Sequence, residues 1–126
     1  MRYLLDTNAL VFMLSAPQEL SEKAEQVIRN APDISVSITS LWEIGIKQSL
    51  GKLRLELDIP GIESQCIDRD IRVIPILSPA IERLKTLPTI HRDPFDRLLI
   101  AQALEAGMVI VTRDATIPKY PVQTLW

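Results

Sequence analysis

Short apolar runs alternate with longer segments of helical periodicity along this chain of 126 residues. Such alternation is typical of repeated βαβ units, in which parallel strands form one buried sheet and helices cover its faces. The sequence therefore predicts an α/β fold with a central, mostly parallel four- to five-stranded sheet flanked by helices. The predicted strands are residues 2–5, 34–38, 72–76, 108–112 and 121–125.

Helix signals fill the segments between the strands. The predicted helices are residues 21–30, residues 40–50, a helix that begins at Ser78-Pro79 and one that runs from Asp93-Pro94 to Gly107. Their bounds rest on apolar spacing, on proline at the first helical position and on glycine near helix ends. The last helix is apolar nearly all round, so we expect it to be buried in the middle of the domain. Residues 51–60 are expected to form an exposed connection.

A single domain, residues 1–126, is expected because the chain is long enough to bury a core without disulfides. The one cysteine, Cys66, cannot form an intrachain disulfide, and no apolar run approaches the roughly 18 residues of a membrane span. We therefore expect a cytoplasmic protein with no membrane partner. The formal net charge of −2 offers no general attraction for nucleic acid, so a polyanion would need local basic groups or bound metal.

Acidic residues recur near the ends of the predicted strands. Asp6 follows the first strand, Glu43 comes soon after the second, and Asp114 comes shortly after the fourth. Asp93 and Asp96 begin the helix that precedes the fourth strand. In an open parallel sheet, ligands bind in the crevice outside the carboxyl ends of the strands. We therefore expect these carboxylates to gather at one edge of the sheet.

Most of these acids also have a purely structural explanation. Asp6 and Asp93 are good helix caps, because their side chains can accept hydrogen bonds from backbone N–H groups. Asp96 lies in a first helical turn, where the helix dipole favours a negative charge. Asp114 suits an Asx-type turn. Taken one at a time, these positions therefore do not distinguish a structural role from a functional one.

Glu43 has structural alternatives of its own. The segment from Ser40 to Glu43 fits a capping box, in which the third helical residue reaches back to the cap. Glu43 and Lys47 also form a favourable pair at i,i+4 spacing. Both explanations are compatible with a helix that begins at residue 40.

The separate explanations leave open why every one of these positions carries an acid. Serine, threonine and asparagine cap helices as well as aspartate does, whereas gathered carboxylates repel one another. A divalent cation such as Mg²⁺ or Mn²⁺ would remove that cost, because both ions take oxygen ligands. Ions held in this way activate water and stabilise the oxygens of an in-line displacement at phosphorus. The pattern therefore favours hydrolysis of a phosphodiester.

Four motifs resemble, in the right order and over essentially the whole chain, those of PIN-domain ribonucleases, especially the VapC-type toxins of bacterial and archaeal toxin-antitoxin pairs. The motifs are LLDTN at 4–8, LWE at 41–43, DRLLIAQA at 96–103 and VIVTRD at 109–114. The closing segment, YPVQTLW at 120–126, is also similar to the last strand of that group. The resemblance implies a small PIN-like (Rossmann-like) sandwich, in agreement with the strand and helix pattern.

The resemblance also implies a catalytic and metal-binding quartet and several supporting residues. The quartet is Asp6, Glu43, Asp96 and Asp114. The supporting residues are Thr7, Asn8 and Thr112, together with Asp93, which is either a helper of the quartet or only a helix cap. Arg97 and Arg113 adjoin quartet acids and could grip substrate phosphates, or could pair with neighbouring carboxylates and hold them in place.

The activity that the resemblance implies is endonucleolytic cleavage of RNA with Mg²⁺ or Mn²⁺ as cofactor. Asp6, Asp96 and Asp114 would bind the ion, and Glu43 would bind it or orient the attacking water. The implied partners are an RNA substrate, a cognate antitoxin protein that occupies the acidic cleft, and a second copy of the chain in a homodimer. His91, the only histidine, is expected to be a loop residue at the rim.

Three other functions compete with this one. A phosphotransfer fold of the haloacid dehalogenase kind needs a second aspartate two positions after the first, where this chain has Asn8. A response-regulator receiver needs an aspartate after its third strand, where this chain has Leu77 and Ser78. A catalytically silent PIN-like module that only binds protein or RNA stays open, although an intact quartet favours catalysis.

Overall fold

One five-stranded sheet forms the centre of the computed structural model, which describes every residue from Met1 to Trp126. The strands are β1 (Tyr3–Leu5), β2 (Ile34–Ser37), β3 (Ile71–Ile74), β4 (Val109–Val111) and β5 (Thr124–Leu125). They lie in the order β3-β2-β1-β4-β5, and every neighbouring pair is parallel. The predicted α/β fold with a parallel sheet is therefore confirmed.

Six α-helices connect and cover these strands. They are α1 (Thr7–Ser15), α2 (Glu22–Asn30), α3 (Ile38–Ser49), α4 (Ile59–Asp68), α5 (Ser78–Thr86) and α6 (Pro94–Ala106). Two short 3₁₀ helices, Pro17–Glu19 and Ile117–Lys119, lie in the connections. None of the helices combines the length and the apolarity that crossing a bilayer requires.

The observed strands differ from the predicted ones mainly at their ends. β3 begins one residue earlier than predicted and stops before Pro75, because proline has no N–H group to donate to the ladder. β5 is only two residues long, since the preceding segment turns after a 3₁₀ helix instead of extending from Pro121. Because the strands are short, the connecting segments form much of the edge of the sheet.

Two helices, α1 and α4, were not among the bounded helix predictions. α1 is apolar along most of its length and buries Leu10 and Met13, so its sequence lacks the polar face that marks an amphipathic helix. α4 begins inside the segment predicted to be an exposed connection. Leu53 and Leu55 of that segment are half-buried and pack against the core. The connection therefore covers part of the core and is not fully exposed to solvent.

The start of α3 corrects one prediction about Glu43. α3 begins at Ile38, and Ser37 caps it by accepting a hydrogen bond from the backbone N–H of Thr39 at 3.0 Å. The hydroxyl of Ser40 instead accepts a buried hydrogen bond from the hydroxyl of Thr7 at 2.9 Å. The predicted capping box is therefore wrong, and Glu43 lies in the second turn of α3 with no capping role.

The core has two layers, one on each face of the sheet. Leu4 and Leu5 of β1 belong to different layers, because consecutive residues of a strand point to opposite faces. The Leu5 layer receives side chains from α1, α2, α3 and α4, whereas α6 fills the Leu4 layer. Residues 98–103 of α6 are all buried, as predicted. The helix ends at Gly107, whose φ of 66° places it in the left-handed conformation that favours glycine.

A buried polar network connects α6 to the sheet and to the start of α3. The side-chain carbonyl of Gln102 accepts hydrogen bonds from the hydroxyl of Ser37 at 2.6 Å and from that of Thr39 at 3.2 Å. The amide nitrogen of Gln102 donates to the carbonyl of Pro75 at 3.2 Å. This network fixes α6 relative to α3, which are the two helices that carry Asp96 and Glu43.

Replacing Gln102 by alanine is expected to lower the free energy of unfolding by about 3 kcal/mol, because buried groups lose their hydrogen-bond partners and a cavity forms. Urea unfolding monitored by circular dichroism measures the change. Gln26→Ala is the matched control, since Gln26 is exposed and makes no side-chain hydrogen bond, and it should change stability by less than about 0.5 kcal/mol. Equal effects of the two substitutions would show that the network contributes nothing.

Candidate metal centre

The candidate site lies where the order of the strands reverses. β1 is flanked by β2 on one side and by β4 on the other, and a crevice forms outside the carboxyl ends of strands at such a point. The last residues of β1 and β4, Leu5 and Val111, are directly paired. Asp6 immediately follows β1 and Asp114 lies three residues beyond β4, so the connections that leave two neighbouring strands both carry an acid.

Asp6 combines a capping role with a place in this acidic cluster. Its Oδ1 accepts a hydrogen bond from the backbone N–H of Ala9 at 2.8 Å, which caps α1 as predicted. The residue is only 4% exposed. Burial raises the pKa of Asp6, hydrogen bonds from Thr112 and Ala9 oppose that rise, and the charges of Asp114 and Glu43 add to it. One carboxylate therefore serves both the helix and the cluster.

Glu43 has one carboxylate oxygen that is paired and one that is not. Its Oε2 contacts the Nζ of Lys47 at 2.6 Å, which is the predicted i,i+4 pair. Its Oε1 is buried and has no hydrogen-bond partner in the protein. The partners of Lys47 raise the pKa of that ammonium group, chiefly through its hydrogen bond with Glu43 and also through the charges of Asp93 and Asp96. Lys47 is therefore the basic side chain that lies beside the acids.

Asp96 lies in the first turn of α6, directly after the helix cap. Asp93 is that cap, and its Oδ1 accepts hydrogen bonds from the backbone N–H groups of Phe95 at 2.8 Å and Asp96 at 3.4 Å. Burial raises the pKa of Asp96 to about 7, helped by the charges of Asp93, Glu43 and Asp6. The charges of Glu43 and Asp6 act on Asp96, and those of Asp114 and Glu43 act on Asp6, so Asp6 and Asp96 are each electrostatically coupled to two other acids of the quartet.

Asp114 sits in the Asx-type turn that the sequence suggested. Its Oδ1 accepts hydrogen bonds from the backbone N–H groups of Thr116 at 2.6 Å and Ile117 at 3.1 Å. Its own N–H donates to the hydroxyl of Thr112 at 3.0 Å. Burial tends to raise the pKa of Asp114, but these backbone hydrogen bonds and the one from His91 lower it overall. Asp114 is therefore the quartet acid whose charged form the surroundings favour.

His91 lies among the acids and not at their rim. It is a loop residue, as expected, yet its Nε2 is 3.1 Å from the Oδ2 of Asp96 and 3.2 Å from the Oδ2 of Asp114. One potential ligand atom from each of these three residues lies within 4.8 Å of the other two. The sequence offered one signal for this position, namely that the only histidine stands five residues before a quartet acid.

The two arginines predicted to bind substrate or to hold carboxylates make other contacts. Arg97 donates to the carbonyl of Pro88 at 2.8 Å and to the hydroxyl of Tyr120 at 3.2 Å. Arg113 pairs with Glu19 at 3.3 Å, and its guanidinium lies 4.5 Å from the centre of a phenylalanine ring. Neither guanidinium forms an ion pair with a quartet acid. Their part in substrate binding stays a prediction.

The remaining predicted residues divide between buried and exposed positions. Thr7 is buried and bonds to α3, whereas Asn8 is exposed beside Asp6. Trp42 is 57% exposed and packs edge-on against Phe95 at 5.0 Å between ring centres. No local pattern in the sequence indicates that Trp42 is exposed, because its exposure depends on how α3 packs in the fold.

The donor atoms of this cluster suit a hard divalent cation. Carboxylate oxygens are the ligands that Mg²⁺ and Mn²⁺ prefer in proteins. The buried Oε1 of Glu43 lacks a partner, and an unpaired buried carboxylate oxygen is costly. Burial and mutual repulsion disfavour the charged forms of Asp6 and Asp96. A cation held among these oxygens would give the Glu43 oxygen a partner and would stabilise the charged forms of both aspartates. The residues present therefore fit such an ion.

The fold and the site together define a class of α/β proteins in which carboxylates line the crevice at the switch point of a parallel sheet. The sequence model of the PIN domain matches residues 3–123, and the chain belongs to the PIN domain family. A ribonuclease of Mycobacterium tuberculosis, VapC22, is 30% identical to it over 98% of this chain and 97% of that protein.

Solved structures support the same fold at lower sequence identity. VapBC2 from Rickettsia felis, bound to a DNA fragment from its promoter, matches with a TM-score of 0.72 at 16% identity and covers 99% of this chain and 98% of that one. DNA-bound VapBC from Salmonella typhimurium matches with a TM-score of 0.68 at 21% identity and covers 99% of this chain and 97% of that one. FitAcB from Neisseria gonorrhoeae matches with a TM-score of 0.69 at 15% identity and covers 98% of this chain and 96% of that one.

Proposed function

We propose that this PIN-domain protein is a metal-dependent endoribonuclease that hydrolyses phosphodiester bonds of RNA, and that it is the toxin of a toxin-antitoxin pair. The observation that carries the proposal is that carboxylate oxygens of Asp96 and Asp114 lie within 4.8 Å of each other, with Asp6 and Glu43 electrostatically coupled to this pair. The similarity to a ribonuclease along nearly the full length of both chains supports the choice of RNA as substrate.

Each member of the quartet has a distinct part in this proposal. Asp6, Asp96 and Asp114 would hold Mg²⁺ or Mn²⁺, directly or through water. The bound ion would lower the pKa of a water molecule and neutralise charge on the phosphate. Glu43 would orient the attacking water, because its Oε1 is free to accept a hydrogen bond while its Oε2 is held by Lys47.

The supporting residues keep these carboxylates in position. Asp93 holds the first turn of α6 through two backbone N–H groups, which fixes Asp96. Thr112 accepts from the N–H of Asp114, and Thr7 joins the start of α1 to α3. Asn8, which is exposed two residues after Asp6, would contact the substrate. None of these residues has to transfer a proton.

Local positive charge has to guide RNA to a protein whose net charge is −2. Lys47 lies at the cluster and is 43% exposed, so its ammonium group can reach a phosphate while it stays near Glu43. Arg113 is half-exposed, and its contact with Glu19 can open at the low cost of a surface ion pair. Arg97 holds a loop through the carbonyl of Pro88, and it would contribute to substrate binding through that loop.

An antitoxin and a second copy of the chain are the proposed protein partners. The similar solved structures include toxin-antitoxin complexes such as one from Klebsiella pneumoniae, with a TM-score of 0.66 at 17% identity over 98% of this chain and 96% of that one. α3, the helix that carries Glu43, has exposed apolar side chains, and apolar surface of this kind often marks a protein interface. The exposed residues are Ile38, Trp42, Ile46 and Leu50.

Cleavage of a mixed pool of single-stranded RNA with Mg²⁺ or Mn²⁺ tests the activity directly. We expect endonucleolytic products with either ion, none in excess EDTA, and inhibition when the cognate antitoxin is added. A single-stranded DNA pool of the same length serves as control. RNA binding without cleavage under all metal conditions would contradict the proposal and would favour the catalytically silent PIN-like module instead.

A further inference from the structure

One buried hydroxyl group makes three hydrogen bonds to the backbone of the loop between α5 and α6. Tyr120 is 3% exposed, and its hydroxyl donates to the carbonyl of Pro88 at 2.8 Å. The same oxygen accepts from the backbone N–H groups of Ile90 at 3.1 Å and His91 at 2.7 Å. Arg97 contributes a further hydrogen bond to this oxygen and one to the Pro88 carbonyl. The backbone that carries His91 is therefore fixed from outside the acidic cluster.

The hydrogen bonds of the His91 ring determine which of its nitrogens carries the proton. Its Nδ1 faces the backbone N–H of Asp93 at 3.2 Å, and because that group can only donate, Nδ1 has to be the acceptor. In the neutral form of the ring, the single N–H group is therefore on Nε2. That nitrogen faces carboxylate oxygens of Asp96 and Asp114, which can accept it.

A metal ligand needs a lone pair on the coordinating nitrogen, and Nε2 of this tautomer has none to offer. His91 could coordinate through Nε2 only if the proton moved to Nδ1, where it would meet the N–H of Asp93. In its observed position the ring thus supplies a hydrogen-bond donor to two acids that would otherwise hold a cation.

We propose that His91 is an internal competitor of the divalent ion, held between Asp96 and Asp114 by the loop that Tyr120 fixes, and that metal loading requires the ring to withdraw. This inference rests on the metal site of the proposed function. Tyr120 is a positioning residue in it, because its hydroxyl acts on the acids only through the loop and the His91 ring.

The direction in which the Mn²⁺ affinity changes when His91 is removed distinguishes a competitor from a ligand. Removing a ligand weakens metal binding, whereas removing a competitor strengthens it. The ring gives up charge-assisted hydrogen bonds to two carboxylates when it withdraws, so His91→Ala should tighten Mn²⁺ binding by about tenfold or more. Tyr120→Phe should also tighten Mn²⁺ binding, because the loop that carries the ring then loses the hydrogen bonds of this hydroxyl and can move away from the acids.

Titration of the metal-free protein with Mn²⁺ at one fixed pH, monitored by the electron paramagnetic resonance signal of free Mn²⁺, measures these affinities. Thr89→Ala is the matched control, since Thr89 lies in the same loop, is exposed and makes no side-chain hydrogen bond. It should bind Mn²⁺ as the wild type does. In a His91→Ala background, Tyr120→Phe should have no further effect, which a merely structural role of the hydroxyl would not produce.

Unchanged or weaker Mn²⁺ binding by His91→Ala would overturn the inference, and weaker binding would show that His91 is a ligand. Additive effects of the two substitutions would overturn the role of Tyr120. If neither the wild type nor any variant bound Mn²⁺, the metal site of the proposed function would fail together with this inference. Binding that Asp96→Asn weakens but His91→Ala leaves unchanged would contradict the inference alone.

Discussion

Asp96→Asn is expected to reduce metal-dependent RNA cleavage by at least about a thousandfold, since loss of several kcal/mol of electrostatic stabilisation corresponds to roughly that factor. Asparagine has nearly the same shape as aspartate and keeps one neutral oxygen, so the fold and the helix cap at Asp93 should be unaffected. The measurement is the initial rate of cleavage of a fluorescent single-stranded RNA at saturating Mg²⁺ and at saturating Mn²⁺.

The matched control for this loss is Asp68→Asn. Asp68 is exposed at the end of α4 and makes no side-chain hydrogen bond, so its replacement changes the net charge equally without touching the cluster. Its activity should stay within about twofold of wild type, as expected for a surface change. An Asp96→Asn protein that retained most of its activity would remove Asp96 from the proposed catalytic group.

Asp96→Asn should also make the metal-free protein more stable at alkaline pH. Burial and the neighbouring acids raise the pKa of Asp96 to about 7 from an ordinary value of 3.8. The folded state therefore holds this proton more tightly than the unfolded state, and the resulting stabilisation is lost as pH rises towards 7. At about pH 8 the ionised carboxylate costs stability, and Asp96→Asn should recover on the order of 2 kcal/mol.

Urea unfolding in EDTA across this pH range tests the expectation. The wild type should lose stability between about pH 4 and about pH 8, and Asp96→Asn should flatten that part of the curve. Asp114→Asn should have the opposite sign at neutral pH, because hydrogen bonds lower the pKa of Asp114 overall and its charged form is stabilising. Identical pH profiles for wild type and Asp96→Asn would contradict the electrostatic account of the cluster.

The sheet could be predicted because strand positions depend on local apolar runs and on the alternation of strands with helices. The carboxylates after β1 and β4 could be placed together because the carboxyl ends of parallel strands share one edge of the sheet. The capping explanations for Asp6 and Asp93 and the Asx-type turn at Asp114 were also correct. These acids use one oxygen for the backbone, and a carboxylate has a second oxygen for other partners.

The contacts that could not be predicted depend on long-range packing. Tyr120 meets the loop before α6 across about thirty residues of sequence, and no local pattern identifies its hydroxyl as the partner of His91. The burial of Leu53 and Leu55 likewise depends on how the connection folds back over the core. Charged residues alternate with leucines in that segment, so its composition resembles an exposed loop although one side of it is covered.

A crystal of the protein soaked with Mn²⁺ offers the most direct test of the acidic cluster, because anomalous scattering locates the ion without assumptions about its ligands. We expect an anomalous peak bounded by oxygens of Asp6, Asp96 and Asp114, at about 2.0–2.3 Å from at least one of them. His91 should then be displaced from its position between the two aspartates. A fully occupied Mn²⁺ site elsewhere, with the cluster unchanged and His91 still in place, would contradict the proposal that these carboxylates bind the catalytic ion.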